Sequence, residues 1–264
     1  MDVERSLVKK FRKEIYHPFI KAIKDYHLIN EGDKILVCIS GGKDSTLMAI
    51  LLRHLQRYSE VKFDLEYVVM DPGYTEDNLK HITDNLKKLD IDAKVYPTKI
   101  FKIDSKIHPK NPCYLCSKMR RGALYNIGKE LGCNKIALGH NFDDVIETVM
   151  LNMLFNGIYS GMLPILDSEN YEGMQLIRPL YLVHEDNIVK WAKYNELEFV
   201  RCKCPLTVED NGKRKEMKAL IKELNDKYEY AGDNIFNALN NVNMHNILGY
   251  DDGVKHTFHD DYQK

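Results

Sequence analysis

The segment Lys34-Ile35-Leu36-Val37-Cys38-Ile39 runs directly into Ser40-Gly41-Gly42-Lys43-Asp44-Ser45, and that hexapeptide into Thr46-Leu47-Met48-Ala49-Ile50-Leu51-Leu52-Arg53-His54-Leu55. A short apolar run, a pair of glycines and then a helical pattern read as strand, tight turn and helix. Two glycines let the backbone turn sharply and come close to an anion. The new helix directs amide hydrogens and its positive end toward that anion, and Lys43 adds a compact charge. Ser40 and Ser45 supply hydroxyls, with Ser45 also placed to cap the helix. In this order the elements form a nucleotide phosphate site. The spacing is not G-x-x-x-x-G-K-S/T, which excludes a Walker-type loop, nor G-x-G-x-x-G, which argues against a dinucleotide site.

Outward from this loop, strand patterns recur at 64–70, 93–97, 135–138 and 174–177, separated by helical patterns at 45–57, 75–89, 117–131 and 141–156. Short apolar strands alternating with amphipathic helices predict an α/β fold, a doubly wound, mostly parallel five-stranded sheet. A helical segment over 3–27, kinked at Pro18, precedes it. After Arg178-Pro179-Leu180 come helical patterns at 184–194, 213–226 and 233–241 with no further strand, so the chain divides into an α/β domain over 1–180 and a small helical subdomain with tail over 181–264. The stretch after Gly249 reads as frayed. His256, His259, Asp260 and Asp261 there read as a polar tail, since nothing fixes a ligand geometry.

The chain has 264 residues, 44% apolar and 29% charged, a composition that fits a globular fold with a full core. No apolar run approaches the roughly 18 residues of a membrane helix. The opening MDVERSLVKKFRK has charges but no apolar segment, so no secretory signal is read and a cytoplasmic location away from membranes is expected. The 38 Lys+Arg against 39 Asp+Glu are a cancellation. Residues 99–121 carry Lys99, Lys102, Lys106, Lys110, Lys118, Arg120 and Arg121 against Asp104 alone, whereas residues 140–173 carry six acids and no Lys or Arg. A polyanion responds to such local fields and not to the sum.

A second constellation, Gly139-His140-Asn141-Phe142-Asp143-Asp144, follows the strand pattern at 135–138 and opens a helix through Glu147 and Thr148. Acids at a helix start complement its dipole. At the carboxyl end of a parallel strand, where α/β sheets bind ligands, Asp143 and Asp144 also read as Mg²⁺ ligation or proton handling. Asp71 falls on the same sheet edge. Of the six cysteines, Cys38 and Cys133 read as core filler. Cys113 and Cys116 form a C-x-x-C followed by Lys118, Arg120 and Arg121, and positive charge beside a helix start favours the thiolate. Cys202-Lys203-Cys204-Pro205 offers a further thiol. An iron–sulfur cluster on three thiolates, zinc held by all four and a persulfide or disulfide relay all fit this set.

The hexapeptide at 40–45 resembles the loop of the PP-loop ATP pyrophosphatase superfamily, in which ATP is cut between the α and β phosphates to adenylate an acceptor. The run Asn30-Glu31-Gly32-Asp33 into that loop, P-C-x-x-C-x-x-x-R-R-G at 112–122, G-H-N-x-D-D-x-x-E-T at 139–148, LNMLFNG at 151–157, GMLP at 161–164, Arg178-Pro179-Leu180 and NALNNVNMHNI at 237–247 narrow the resemblance. From about residue 8 to 249 they are similar to the tRNA 2-thiocytidine synthetase family, the tRNA-cytidine sulfurtransferases. The resemblance implies ATP-dependent replacement of the 2-oxo group of an anticodon-loop cytidine by sulfur, with release of AMP and pyrophosphate. It implies ATP, Mg²⁺ and a 4Fe-4S cluster as cofactors, tRNA and a sulfur donor (a cysteine desulfurase or sulfide) as partners, and a homodimer. Carried over, Ser40, Gly41, Gly42, Lys43, Asp44 and Ser45, with Asp71, Gly139 and His140, bind ATP. Cys113, Cys116 and Cys204 hold the cluster, with Cys204 favoured over Cys202 because Pro205 follows it as in related thiolases. The late pair here is C-x-C where the family often shows P-C-x-x-C. Asp143 holds Mg²⁺, Asp143, Asp144 and Arg120 are catalytic, and Lys110, Lys118 and Arg121 contact tRNA. The competing readings are a PP-loop enzyme that adenylates another tRNA base, as lysidine synthetase does, or a small molecule, and a nucleotide-binding module without catalysis. Such a module would need neither the Asp pair nor the cysteines.

Overall fold

The computed structural model describes residues 3–98, 100, 112–199 and 207–257, with the backbone alone for 112–117 and 207–211. Strand β1 (Lys34–Ile39) lies inside a six-stranded sheet with β2 (Asp64–Asp71), β3 (Lys94–Pro97), β4 (Lys135–Ala137), β5 (Ile165–Asp167) and β6 (Gln175–Ile177) in the order β3-β2-β1-β4-β6-β5. Every pairing is parallel except β5 with β6. The five predicted strands are present. The sixth, β5, is an antiparallel edge strand of three residues behind Pro164, too short to show a periodicity.

Because β1 pairs with β2 on one side and β4 on the other, the order in which strands are added reverses across the sheet at β1 and β4. That reversal opens a crevice at the carboxyl ends of the two strands. Alternate residues of β1 supply two cores. Ile35, Val37 and Ile39 face a large cluster beneath the helices α2 (His17–Asp25), α3 (Lys43–Tyr58), α4 (Glu76–Lys88), α6 (Phe142–Leu151) and α7 (Glu185–Tyr194). Leu36 and Cys38 face a smaller one beneath α5 (Pro112–Glu130). Cys38 and Cys133 are buried free thiols in the second cluster, as core filler should be. Burial pushes the Cys133 thiol up to about 11 and the Cys38 thiol higher still.

The first half of α3 is buried all round, from Ser45 to Leu52, so this half packs between the sheet and other helices, while Arg57 and Tyr58 at its end are exposed. At the amino end, the expected kink at Pro18 falls earlier. Helix α1 (Val3–Lys9) gives way to a π-helical turn over Arg12–Tyr16, and Pro18 sits in the first turn of α2, where a missing amide costs nothing. Helices α8 (Thr207–Lys227) and α9 (Ala231–Ala238) pack over α6, with Phe236 stacked on Phe142 at a centroid distance of 4.9 Å. Beyond them the expected frayed stretch is a two-stranded hairpin, β7 (Gly249–Asp251) and β8 (Lys255–Thr257). Among the described residues no helix is long and apolar enough to cross a membrane.

Asp33, one residue before β1, and Lys135, at the start of β4, form a buried pair. Lys135 Nζ reaches Asp33 Oδ2 at 2.7 Å and donates to the Leu28 carbonyl at 2.9 Å. Asp33 also accepts from Asn134 Nδ2 and the Asn30 amide, each at 2.7 Å. Removing one member of a buried pair strands the other charge, so Lys135→Met should lower unfolding stability by about 3–5 kcal/mol in urea titration. A loss no larger than that of a surface substitution would show that the pair does not pin β1 to β4.

Candidate active site

At the carboxyl end of β1 the loop is fixed by its own hydroxyls. Ser45 Oγ accepts from the Ser40 amide (3.1 Å), donates to the Gly42 carbonyl (3.1 Å) and lies 3.1 Å from Ser40 Oγ. Ser45 therefore braces the loop from inside α3. The cap position belongs to Gly42, which makes no side-chain cap, contrary to the sequence expectation for Ser45. Gly41 has φ +79°, and a Cβ there would lie 2.5 Å from Ile82 Cγ1. Both conditions require glycine.

The second constellation docks onto this loop. A Cβ at Gly139 would meet Ser45 N at 2.9 Å and Ser45 Cα at 3.0 Å, both backbone atoms. Asn141 caps α6, its Oδ1 accepting from the amides of Asp143 (3.0 Å) and Asp144 (3.2 Å), while Asp144 Oδ2 accepts from the Asn141 amide (3.1 Å). The free end of the same side chain, Nδ2, donates to Asp44 Oδ1 at 3.1 Å and so ties the two motifs together.

Around them lies a cavity of ≈ 370 Å³ lined by Asp44, Asn141, Asp143, Asp144, Glu147, Glu185, Arg214, Lys215 and Lys218. Lys43 Nζ bridges Asp44 (3.0 Å) and Glu185 (2.8 Å), and Lys218 holds the other oxygen of Glu185. Arg214 joins Glu147 (2.9 Å) and Asp144 (3.1 Å). Asp143 Oδ2 accepts from the Glu185 amide at 2.7 Å. Burial raises the Asp143 carboxyl above its usual range, and raises Glu147 against the pull of Arg214. Burial works the same way on Glu185, but Lys218 and Lys43 outweigh it and hold that carboxyl low. His140 is pushed down to about 4 by burial, with Asp144 opposing and Arg178, Arg214 and Arg121 reinforcing the shift.

The match to known proteins is extensive. Residues 9–204 fit the family of the PP-loop domain. The tRNA-cytidine(32) 2-sulfurtransferase of Paraburkholderia phymatum is 39% identical over 238 residues, 88% of this chain and 69% of the relative. That of Variovorax paradoxus is 36% identical over 263 residues, 98% of this chain and 82% of the relative. This chain belongs to the PP-loop family and, within it, to the tRNA-cytidine(32) 2-sulfurtransferases. The U34-tRNA thiolase NcsA from Methanococcus maripaludis, solved with its 4Fe-4S cluster, shares the fold at a TM-score of 0.69 with 23% identity, covering 86% of this chain and 79% of that one.

In this member of the family, Gly139 packs on the backbone of Ser45 and Asn141 ties to Asp44, so the loop over 40–45 lies against the turn over 139–144; Asp143 and Asp144 line the cavity, and His140 is buried beside Asp144 and Arg178. Asp71, at the carboxyl end of β2, accepts through Oδ1 from the amides of Gly73 (2.8 Å) and Tyr74 (2.6 Å), which builds the turn after β2. Cys113 and Cys116 lie in the first turn of α5, ahead of exposed Lys118 and Arg121 and half-buried Arg120. Lys110, Cys202 and Cys204 lie outside the described residues. Sequence reading missed the bridging role of Asn141, and Glu185, Arg214 and Lys218 altogether. The spacing of Arg214 and Lys218, one turn apart ahead of buried Ile221, was the available signal.

His140 sets a pH dependence. An imidazole that titrates near 6.5 unfolded and near 4 folded is protonated first in the unfolded chain, so stability falls as pH drops through that window. His140→Gln should flatten the fall, measured as urea midpoints across pH. Equal slopes in variant and wild type would mean that the folded protein does not hold this ring neutral.

Proposed function

We propose that this protein is an ATP-dependent tRNA thiolase that replaces the 2-oxo group of cytidine 32 by sulfur. The observation that carries the reading is the 36–39% identity to tRNA-cytidine(32) 2-sulfurtransferases over most of the chain, and the crevice chemistry agrees with it. A cytidine oxygen is a poor leaving group until it is adenylated. The 2-oxo oxygen would attack the α-phosphorus of ATP, the bond to the β-phosphate oxygen would break, and pyrophosphate would leave with the electron pair. Sulfur attack at C2 would then expel AMP.

Lys43 is suited to the β-phosphate, exchanging Glu185 for a phosphate oxygen while the braced loop and the start of α3 hold the rest. We assign the metal role to Asp143. Asp144 is committed on both oxygens, to the Asn141 amide and to Arg214, whereas Asp143 uses Oδ2 alone and lines the cavity. Mg²⁺ binds through one or two carboxylates, with phosphate oxygens and water completing the shell, a role open to Asp143 in the cavity. Asp144 keeps its place as cap and as the anchor of Arg214, and Arg120, one turn after Cys116 on α5, would face charge developing on the adenylated base.

Cys113 and Cys116, three residues apart in the first turn of α5 with cations following, suit soft-metal ligation, and with Cys204 they would hold a 4Fe-4S cluster. When bound, that group supplies an iron position able to hold a sulfur ligand. Lys110, Lys118 and Arg121 remain the assigned tRNA contacts, and the donor is a cysteine desulfurase or sulfide.

Nucleoside mass spectrometry of tRNA from a strain lacking the gene should show 2-thiocytidine gone, and its persistence would overturn the substrate assignment. In purified enzyme, Asp143→Asn should lower the thiolation rate about 10²–10⁴-fold with tRNA affinity unchanged. Gly139→Ala should instead weaken ATP binding by about tenfold or more, about 1.4 kcal/mol, because the added methyl displaces the loop backbone.

A further inference from the structure

Arg178 follows β6 directly, at the same sheet edge as the crevice. It is 5% exposed, yet among the described residues it has no carboxylate partner. One guanidinium nitrogen, Nη1, donates to the Leu163 carbonyl, and Nε is buried with no partner. The neighbouring strand brings up a second such group. The Leu138 amide donates to the Ile177 carbonyl at 3.0 Å, which sets His140 two residues beyond the pairing, and its Nδ1 is likewise buried without a partner. The nearby charges are Arg121, exposed on α5, and Asp144, which Arg214 already engages at 3.1 Å. A buried guanidinium without a counter-ion is costly, and so is each buried nitrogen without an acceptor. Both deficits end if an oxyanion enters.

We infer that Arg178 and His140, with Arg121 at the surface above them, form a seat for a phosphodiester of the substrate RNA at or beside the target nucleotide. The inference rests on the reading of this protein as an RNA-modifying enzyme and adds the contact that orients the nucleotide. ATP phosphates offer the same oxyanion chemistry, but loop 40–45 and Lys43 provide for them separately at the end of β1. Arg178 presents a planar fork of donors that suits a phosphate geometrically, which a lysine cannot reproduce. The seat lies beside Asp144, in the first turn of the helix that carries Asp143.

The test is binding of an anticodon stem-loop RNA to the full chain by fluorescence anisotropy over a salt series, with ATP affinity measured in parallel by calorimetry. Arg178→Gln should weaken RNA binding about tenfold or more and reduce the log–log salt slope by about one. ATP affinity should stay within about twofold, and Arg178→Lys should recover the slope but not the full affinity. Should Arg178→Gln fail to fold by circular dichroism, His140→Gln decides, with a fall in RNA affinity expected. RNA affinity unchanged in the folded variants overturns the seat, and a fall in ATP affinity alone assigns it to the nucleotide. Absence of RNA binding by the wild-type chain would defeat the functional reading itself, and is read separately from the variants.

Discussion

Between Gly139 and the backbone of Ser45 there is no room for a methyl group, and that contact sets the rest of the site. It exists because β1 and β4 are neighbouring parallel strands, which brings the turn after β4 against the first turn of α3. Once the two turns touch, Asn141 can cap α6 with one end of its amide and hold Asp44 with the other. The loop that would meet phosphate and the acid that would meet metal are thereby one rigid unit. The buried Asp33–Lys135 pair ties the opposite ends of the same two strands, so the unit is anchored at both ends.

Charge is arranged in the same spirit. The carboxylates of the crevice would repel a triphosphate on their own. Lys43, Arg214 and Lys218 offset them, and two of these three cations come from α8, a helix from the last quarter of the chain. Glu185 stands between Lys43 and Lys218 and keeps both in place. Incoming phosphate would therefore exchange one set of charge partners for another without desolvating bare charges, which keeps reorganisation small.

Much of this was legible in the residues. Ile35 to Ile39 followed by two glycines and a buried helix has one reading, and the Asp143–Asp144 turn announced itself by following a strand. The parts that stayed hidden depend on distance along the chain. Arg214 and Lys218 read as ordinary cations on a solvated helix until tertiary packing lays α8 across α6. Asp71 shares the sheet edge with the loop and also builds a local turn through Oδ1, a structural role that periodicity does not register. Ser45 looked like a helix cap because its residue type favours that role, and bonds back across the loop instead. The edge strand β5 and the terminal hairpin escaped because three residues carry no period.

The measurement closest to the centre of this account is ³¹P NMR of a complete reaction containing tRNA, ATP, Mg²⁺ and a sulfur donor under anaerobic conditions. AMP and pyrophosphate should appear together, in step with 2-thiocytidine and only when tRNA is present. ADP and inorganic phosphate in their place would contradict the assignment of loop 40–45 to cleavage between the α and β phosphates.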